Sequence, residues 1–272
     1  MTTLAFSRLL GGAYRFTWGE RRRVVALAVP WLAAAVLPAL LLQAMAPRSG
    51  LTGAALALLG VLCAVAGYVG FALRWQRYIL MGESLVGRAA LTLGRRERRF
   101  AGHAVLVFIV VASALLGAVV LVYLPLTLAI QALHAHALAG ASRWLFQAIA
   151  ALACGTVFGR LALALPASAV DETGDMLEIA WQRSRGNAPG LLLGTLGSVL
   201  PFLLLQQLIE APFGRLIGYH LALQLAMSRV AMVLGFAGLA VLASFLAEAH
   251  RALASAGAAK PGMAPSRALS AR

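Results

Sequence analysis

The chain has 272 residues, of which 61% are hydrophobic and only 12% are charged, and its formal charge is +14. Because soluble domains are about 45–50% apolar and about 25% charged, this composition excludes an ordinary soluble protein. The excess of basic residues indicates a negatively charged partner, either a membrane surface or a nucleic acid.

The apolar residues fall in blocks of about twenty, the length that a helix needs to cross a hydrocarbon core of roughly 30 Å. They predict an all-α fold, a polytopic bundle of about six transmembrane helices, at residues 24–45, 51–73, 102–124, 144–165, 191–208 and 230–246. Basic residues that flank membrane spans set their orientation and contact anionic headgroups. We therefore favour membrane lipids as partners and do not expect nucleic acid.

The first 23 residues are predicted to form a cytoplasmic amphipathic segment ahead of the transmembrane domain, which covers residues 24–250. Apolar and basic side chains alternate loosely over residues 4–19, a pattern that favours a short helix on the membrane surface over a partly ordered tail. Three consecutive arginines precede the first span, in which Pro30 and Pro38 predict a kinked helix.

Small residues form a stripe on the second span. Gly53, Gly60 and Gly67 recur every seven residues, so they share a helical face that allows a second helix to approach closely. The segment at residues 74–101 holds seven arginines, and its apolar residues between 85 and 93 predict a short helix at the membrane surface.

The third span is predicted to weaken at Pro125, and a polar segment with His134 and His136 follows it. Two histidines separated by one residue can bind a metal, but no Cys, Asp or Glu lies near them, so we favour a solvated loop and predict no metal site. The fourth span carries Gly155 and Gly159, and their spacing favours close helix packing.

A polar connector follows the fourth span at residues 171–190. Asp171 or Thr173 could cap a short helix there, and Gly186 would then mark its end.

The fifth span is interrupted by Pro201, and residues 211–228 form either an interfacial loop or the first turns of the sixth helix. Residues 251–272 are rich in Ala, Gly, Pro and Ser, so we predict a disordered cytoplasmic tail.

The basic residues of the predicted loops and ends are distributed unequally across the membrane. Eighteen lie on the side that holds both ends of the chain, four lie on the other side, and Arg160 lies within a span. This imbalance places the basic side, and with it both termini, in the cytoplasm. Arginine supplies 22 of the 23 positive charges beside abundant Ala and Gly, which favours a bacterial genome and hence the bacterial inner membrane.

Known catalytic patterns are missing from the sequence, which contains no P-loop, no Gly-x-Ser-x-Gly and no His-Glu-x-x-His. His103 and His220 lie near predicted membrane edges, where we interpret them as interfacial anchors. Cys63 and Cys154 lie inside apolar runs and are interpreted as small hydrophobic residues. We therefore assign no catalytic, cofactor-binding or metal-binding residue, and we expect no cofactor.

Arg160 is a charged residue inside a predicted span, near its cytoplasmic end. A guanidinium at the bilayer centre costs about 2.5–3.5 kcal/mol, and the cost falls when the side chain reaches the interface or an acid. We predict a polar cluster at the cytoplasmic face, with Glu83 as the partner of Arg160 and with Arg77 and Trp75 nearby. Such a cluster could bind a lipid headgroup or an anionic solute; the alternative is that Arg160 only anchors its helix at this depth.

Two stretches of the chain resemble a known family. The first runs from Trp75 to Glu83 (WQRYILMGE), and the second runs from Arg160 to Asn187, beginning RLALALPA and ending AWQRSRGN. They resemble a broad family of uncharacterised bacterial six-span inner-membrane proteins, related to the membrane domain fused to some glycerophosphodiester phosphodiesterases. The resemblance covers roughly residues 5–250 and implies a six-helix bundle with interfacial helices after the second and fourth spans. It does not imply phosphodiesterase activity, which in the fused proteins resides in a separate soluble barrel.

These observations favour a non-enzymatic inner-membrane protein with a structural, assembly or lipid-associated role. A transporter or permease subunit is the main alternative, because Pro30, Pro38 and Pro201 can break helices around a binding site. A membrane-embedded enzyme is a third hypothesis, and it would need acidic or histidine side chains that converge at one depth. Besides lipid, a second copy of the chain or another membrane protein could be a partner.

Overall fold

The computed structural model describes residues 6–45, 51–83, 94–132, 136–172, 174–213 and 221–258. This part of the chain is almost entirely helical and contains no strand, which confirms the predicted all-α class. The helices are α1 (Phe6–Gly19), α2 (Arg21–Met45), α3 (Leu51–Met81), α4 (Arg95–Ala118), α5 (Leu124–Ala132), α6 (His136–Leu161), α7 (Ala164–Ala169), α8 (Met176–Arg183), α9 (Ala188–Glu210) and α10 (Leu221–Ala258).

Helical segments long and apolar enough to cross a membrane overlap the second to sixth predicted spans. Within the described residues there are five: Gly53–Met81, Glu97–Ile130, Leu152–Ala169, Ala188–Phe213 and Ala226–Ser255. Their length and composition indicate a multi-pass membrane protein. The first predicted span coincides with α2, whose helix continues past both of its prolines.

The helix of the third predicted span continues beyond Pro125, where the sequence predicts that it weakens. A π-helical turn, Val119–Tyr123, joins α4 directly to α5, and the Leu124 N–H donates to the Val119 carbonyl. Pro125 has no N–H to donate, and the wider turn just before it lets the helix continue instead of breaking. The helix therefore extends to Ala132.

The N-terminal helix α1 also differs from its prediction. We expected its apolar face to lie on the membrane surface, but that face packs against α9 and α10, and Ala13 is fully buried there. The Tyr14 hydroxyl donates to the Gly197 carbonyl of α9 at 2.7 Å. The Thr17 hydroxyl lies 3.0 Å from the Ser244 hydroxyl of α10. Residues 6–19 are thus part of the bundle, and the three arginines at 21–23 belong to α2.

A row of glycines on α9 explains why α1 docks on protein. Gly190 lies directly against the ring of Phe6, and Gly197 lies against a leucine of α1. Gly194, between them, lies against the ring of Phe245 from α10. Side chains at these positions would overlap their neighbours, so the glycines let α1 and α10 approach closely. The prediction from sequence missed this row, although the four-residue spacing of its first two members was visible.

Glycines also set the spacing between other helices. A Cβ atom at Gly67 would lie 2.9 Å from the Trp31 carbonyl oxygen of α2. A Cβ atom at Gly159 would lie 3.2 Å from Oγ1 of Thr195 on α9, and one at Gly155 would lie 2.7 Å from a leucine of the same helix. These three glycines therefore lie at helix contacts.

The other two glycines of the predicted stripe, Gly53 and Gly60, are partly exposed on α3, and their role in packing stays a prediction.

The connector between α6 and α9 contains the two short helices α7 and α8. Asp175, rather than Asp171 or Thr173, caps α8, because its carboxylate accepts the Leu177 N–H at 3.0 Å. Asp171 has a left-handed backbone with φ 57° and turns the chain between the two helices. Thr173 lies outside the described residues. Gly186, with φ 80°, turns the chain after α8, as predicted.

The last helix is longer than predicted at both ends. It includes residues 221–228 of the ambiguous segment and residues 251–258 of the predicted tail. Arg251 donates to the Ile79 carbonyl and ties this part of α10 to α3. The remaining predictions that lie outside the described residues are the helix at 85–93, His134, His220 and the tail from residue 259.

Candidate functional site

Polar side chains gather at one end of the bundle, which we call the arginine-rich end. It is formed by α1, α7, α8, the C-terminal ends of α3, α6 and α10, and the N-terminal ends of α4 and α9. Its buried polar and charged residues include Arg74, Gln76, Arg77, Ser168, Ser184 and His250. A charge is costly to bury unless it is paired, so the partners of these groups define what this end can do.

Arg77 is bonded to a carboxylate at the end of α3. Its side chain is almost fully buried, and its Nε and Nη2 atoms donate to the two oxygens of Glu83 at 2.8 and 2.5 Å. Its Nη1 atom donates to the Ala169 carbonyl of α7 at 3.4 Å. Gly82, with φ 72°, ends α3 and turns the chain so that Glu83 lies beside the helix it follows. Arg77 therefore fixes α3 against α7.

Arg74, one turn earlier on α3, pairs with α4. Its Nη2 atom lies 2.9 Å from Oε1 of Glu97, and both side chains are largely buried. The other Glu97 oxygen accepts the Gly94 N–H at 2.8 Å, which caps the start of α4. A single carboxylate thus begins α4 and joins it to α3.

Glu172 joins three further elements. Its carboxylate lies 3.0 Å from Arg183 of α8 and 3.3 Å from Nε2 of His250 on α10. Arg99 of α4 donates to its backbone carbonyl at 3.4 Å. The hydrogen bond from His250, helped by the charges of His250 and Arg183, lowers the pKa of Glu172 below its usual value, although burial acts in the opposite direction. The ionised carboxylate is the form that these contacts favour.

Trp75 belongs to the core rather than to a polar cluster. Its ring is fully buried and stacks on Tyr78 with a centroid separation of 5.4 Å. Its indole N–H lies 3.0 Å from the Ala240 carbonyl and 2.9 Å from the Ser244 hydroxyl, both on α10. Trp75 therefore links α3 to α10.

Arg160 points toward α8. Its Nε atom donates to the Ser184 hydroxyl at 2.9 Å, and its Nη2 atom donates to the Trp181 carbonyl at 2.9 Å. Its Cζ atom lies 3.3 Å from the centroid of the Trp181 ring, which is a cation–π contact. Three contacts with α8 thus set the orientation of the guanidinium.

The predicted pairing of Arg160 with Glu83 is wrong. Glu83 pairs with Arg77, only six positions away, so the closing segment is short and little entropy is lost in forming the pair. Within the described ranges, no carboxylate lies within ion-pairing distance of Arg160. The four residues of the predicted cluster therefore separate into an arginine–glutamate pair, a core tryptophan and an arginine of α6 that contacts α8.

Sequence reasoning missed the residues whose partners are distant in the chain. Nothing in the sequence connects Glu172 to His250, because the contact depends on how α10 returns to the connector. Glu97 did carry a signal, since a glycine followed three residues later by a glutamate before an apolar run is typical of a helix start.

Histidines and cysteines form no common site in the described part of the chain. There, no group of three or more His, Cys, Asp or Glu side chains is placed to hold a metal ion. Nδ1 of His103 lies 2.9 Å from the Arg99 carbonyl, one turn earlier in the same helix. Cys63 and Cys154 are partly buried free thiols on α3 and α6.

An apolar groove of about 240 Å³ lies between α3, α9 and α10. Gly235 and neighbouring apolar side chains line most of it. Its polar groups already have partners: the Tyr68 hydroxyl donates to the Met232 carbonyl at 3.4 Å, and Gln206 donates to Glu210 at 2.9 Å. This lining suits hydrocarbon better than a polar solute.

The chain matches no family model, and no curated protein or solved structure matches it. The resemblance of the stretches at Trp75–Glu83 and Arg160–Asn187 to six-span inner-membrane proteins therefore stays a prediction. The geometry of the arginine-rich end is then the main guide to function.

Proposed function

We propose that the chain is a bacterial inner-membrane protein with six spans and both termini in the cytoplasm, and that its role is lipid-associated rather than catalytic. The observation that carries this proposal is the separation of its surfaces. The long helices expose many large apolar side chains, whereas charged side chains gather at the arginine-rich end. An apolar belt with one basic end is typical of a multi-pass protein whose basic end faces the cytoplasm.

The helix α2 would be the first of the six spans. Its 25 residues would extend about 37 Å at a rise of 1.5 Å per residue, which is enough to cross a hydrocarbon core of about 30 Å. It packs along α3, where Gly67 allows close contact with Trp31. An even number of spans agrees with the contact between Thr17 and Ser244, which brings α1 and the C-terminal half of α10 to the same end.

Exposed arginines favour contact with anionic lipid. The outer face of α1 and the start of α2 expose Arg8, Arg15, Arg21 and Arg22 beside Trp18, which is 73% exposed. Tryptophan and arginine together are typical of the headgroup layer. Each basic residue near an anionic leaflet contributes about 1 kcal/mol of attraction. These residues support a lipid-associated role more directly than a purely structural or assembly role.

A transporter or permease subunit has less support. A path for a polar solute needs polar side chains between the spans, and the groove between α3, α9 and α10 is mainly apolar.

The orientation can be tested with single cysteines in a chain whose Cys63 and Cys154 are replaced by Ala. Gln182→Cys puts a thiol on the exposed surface of α8, whereas a thiol at the fully buried Ser184 would be inaccessible from either side. We expect Gln182→Cys to react with a membrane-impermeant maleimide only after the cells are permeabilised. Ser49→Cys, in the predicted outer loop, should react in intact cells. Labelling of Gln182→Cys in intact cells would reject the orientation.

Lipid association can be tested by measuring which lipids the full chain retains in a mild nonionic detergent. From an equimolar mixture of phosphatidylglycerol and phosphatidylcholine, we expect preferential retention of phosphatidylglycerol, declining as salt is added. Replacing Arg8, Arg15, Arg21 and Arg22 together by Gln should reduce the preference for phosphatidylglycerol. Equal retention of both lipids by the unaltered chain would reject this role.

A further inference from the structure

We propose that Arg160, Arg185 and Trp181 form a binding site for a phosphate ester or phosphate ion at the arginine-rich end, between α6 and α8. The ligand would be the headgroup phosphate of an anionic membrane lipid or a free phosphate. This inference rests on the proposed function and deepens it, because it assigns one specific contact to named residues. The exposed arginines of α1 attract anionic lipid diffusely, whereas this site would hold one phosphate in a defined geometry.

The first argument comes from the partners of the arginines. Arg77 and Arg183 each contact a glutamate, and Arg74 contacts another. Arg160 contacts only neutral groups among the described residues: a hydroxyl, a carbonyl and an indole ring. Its positive charge is therefore not neutralised within the described part of the protein, and an anion would be attracted to it.

The second argument is that Arg160 is already oriented. Two of its nitrogens, Nε and Nη2, are bonded to α8, and Trp181 supports the face of the guanidinium. Ser184, which accepts one of these bonds, is fully buried, so the surface that holds the guanidinium is well packed. The described contacts leave the Nη1 donors of Arg160 to a ligand. Binding to an oriented group loses less side-chain entropy than binding to a mobile one.

The third argument is a second positive charge. Arg185, two residues after α8, is exposed, and it directly follows Ser184, whose hydroxyl accepts a hydrogen bond from Arg160. Two like charges held near each other repel, and an anion between them would relieve that repulsion. Guanidinium groups also match phosphate oxygens with paired hydrogen bonds, which a point charge does not.

The surroundings favour a ligand at the membrane surface. Trp181 is 39% exposed although its ring contacts Arg160, and partly exposed tryptophans are typical of the headgroup layer. Gly159, next to Arg160, packs against the first turns of α9, so the site lies at the end of the span and not at its middle. The competing interpretation is that Arg160 reaches the interface only to anchor α6.

The test uses the full chain in nonionic detergent and has two arms at constant ionic strength. In one arm the protein is equilibrated with radiolabelled phosphatidylglycerol in mixed micelles, and in the other with radiolabelled inorganic phosphate. Bound label is measured for the unaltered chain, Arg160→Gln, Arg185→Gln and Arg98→Gln. Arg98 is an exposed arginine of α4, so Arg98→Gln removes the same charge elsewhere on this end.

We expect Arg160→Gln to weaken binding about tenfold, Arg185→Gln to weaken it about three- to tenfold, and Arg98→Gln to change it less than about twofold. These losses in the lipid arm alone identify a headgroup, and losses in both arms identify a phosphate group from either source. If Arg160→Gln also lowers the thermal midpoint, its loss of binding could come from a loss of stability. The binding measured for Arg185→Gln then tests the site, because the Arg185 side chain is exposed and its replacement should leave the fold intact.

Two negative results have different meanings. If the unaltered chain binds phosphatidylglycerol but Arg160→Gln and Arg185→Gln behave like Arg98→Gln in both arms, the site is overturned, Arg160 is a depth anchor, and the proposed function still stands. If the unaltered chain binds neither ligand, the site and the lipid-associated function are both overturned.

Discussion

The tripeptide Trp-Gln-Arg occurs twice, at residues 75–77 near the end of α3 and at residues 181–183 in α8. In both copies the arginine forms an ion pair with a glutamate: Arg77 pairs with Glu83, and Arg183 pairs with Glu172. The tryptophans differ: the first is fully buried and bonded to α10, whereas the second is 39% exposed beneath Arg160.

The difference follows from what each copy contacts. The first copy lies on a long helix enclosed by α1, α2 and α10, so its indole fills a core position. The second copy lies on an eight-residue helix with one face packed on protein and the other exposed. Identical local sequences therefore build a structural anchor in one place and an accessible basic surface in the other.

The sharpest test of this comparison replaces each tryptophan by Ala. Trp75→Ala should destabilise the protein by about 3–5 kcal/mol, because it leaves a large cavity and removes the indole donor from α10. Trp181→Ala should cost less than about 1 kcal/mol, because the ring is partly exposed. Thermal midpoints should be compared in one detergent at one scan rate, since unfolding of such proteins is often irreversible. Equal losses would show that the two copies have the same structural role.

A second test concerns the helix contact that positions Arg160 against Trp181. We attribute the position of α6 to its close contact with α9, so Gly159→Leu should force the helices apart and cost about 1–3 kcal/mol. Gly117→Leu on α4 is the matched control, because a Cβ atom there meets no neighbour within 4 Å. If both variants keep the unaltered thermal midpoint, the glycine contact does not set the position of α6.

A third test compares the two arginines. Arg77 reaches Glu83 with two nitrogens, which a lysine cannot copy, so Arg77→Lys should cost roughly 1–2 kcal/mol. Arg183 reaches Glu172 with Nη1 alone, so Arg183→Lys should cost less than about 1 kcal/mol. Both costs can be read from the same thermal scans. If Arg183→Lys lowers the stability more than Arg77→Lys does, then Arg77 does not contribute more to stability than Arg183.

The smallest expected effect is on the pH dependence of stability. The folded-state pKa of Glu172 lies below its unfolded value of about 4.3. The ionised carboxylate therefore stabilises the folded protein fully above the unfolded pKa, and this stabilisation is lost as the pH falls through the folded-state pKa. The difference in thermal midpoint between the unaltered chain and Glu172→Gln should therefore narrow as the pH is lowered from about 6 toward about 3. The midpoints should be measured at intervals of about half a pH unit. A difference that stays constant over this range would mean that the ionised carboxylate does not contribute.

Part of the arginine-rich end could be predicted from the sequence. The sequence places Arg77, Glu83 and Trp75 at one end because they follow an apolar run of membrane length, and it places Arg160 at the same end because it lies near the end of another such run. Their pairing was not predictable in the same way. From the predicted depth in the membrane alone, Glu83 could reach either Arg77 or Arg160. The turn at Gly82 places it beside Arg77.

The sequence by itself determined the all-α class, the approximate limits of the apolar helices and the basic end, because these depend on composition, block length and charge along the chain. The tertiary structure decided which faces meet. It placed the apolar face of α1 on the glycines of α9 rather than on lipid, extended α10 into the predicted tail, and directed Arg160 to Trp181. The physical reason is that a span is recognised by the energy of transferring its residues into hydrocarbon, which is a sum along the chain. A contact between distant helices depends on shape and on partners that this sum does not contain.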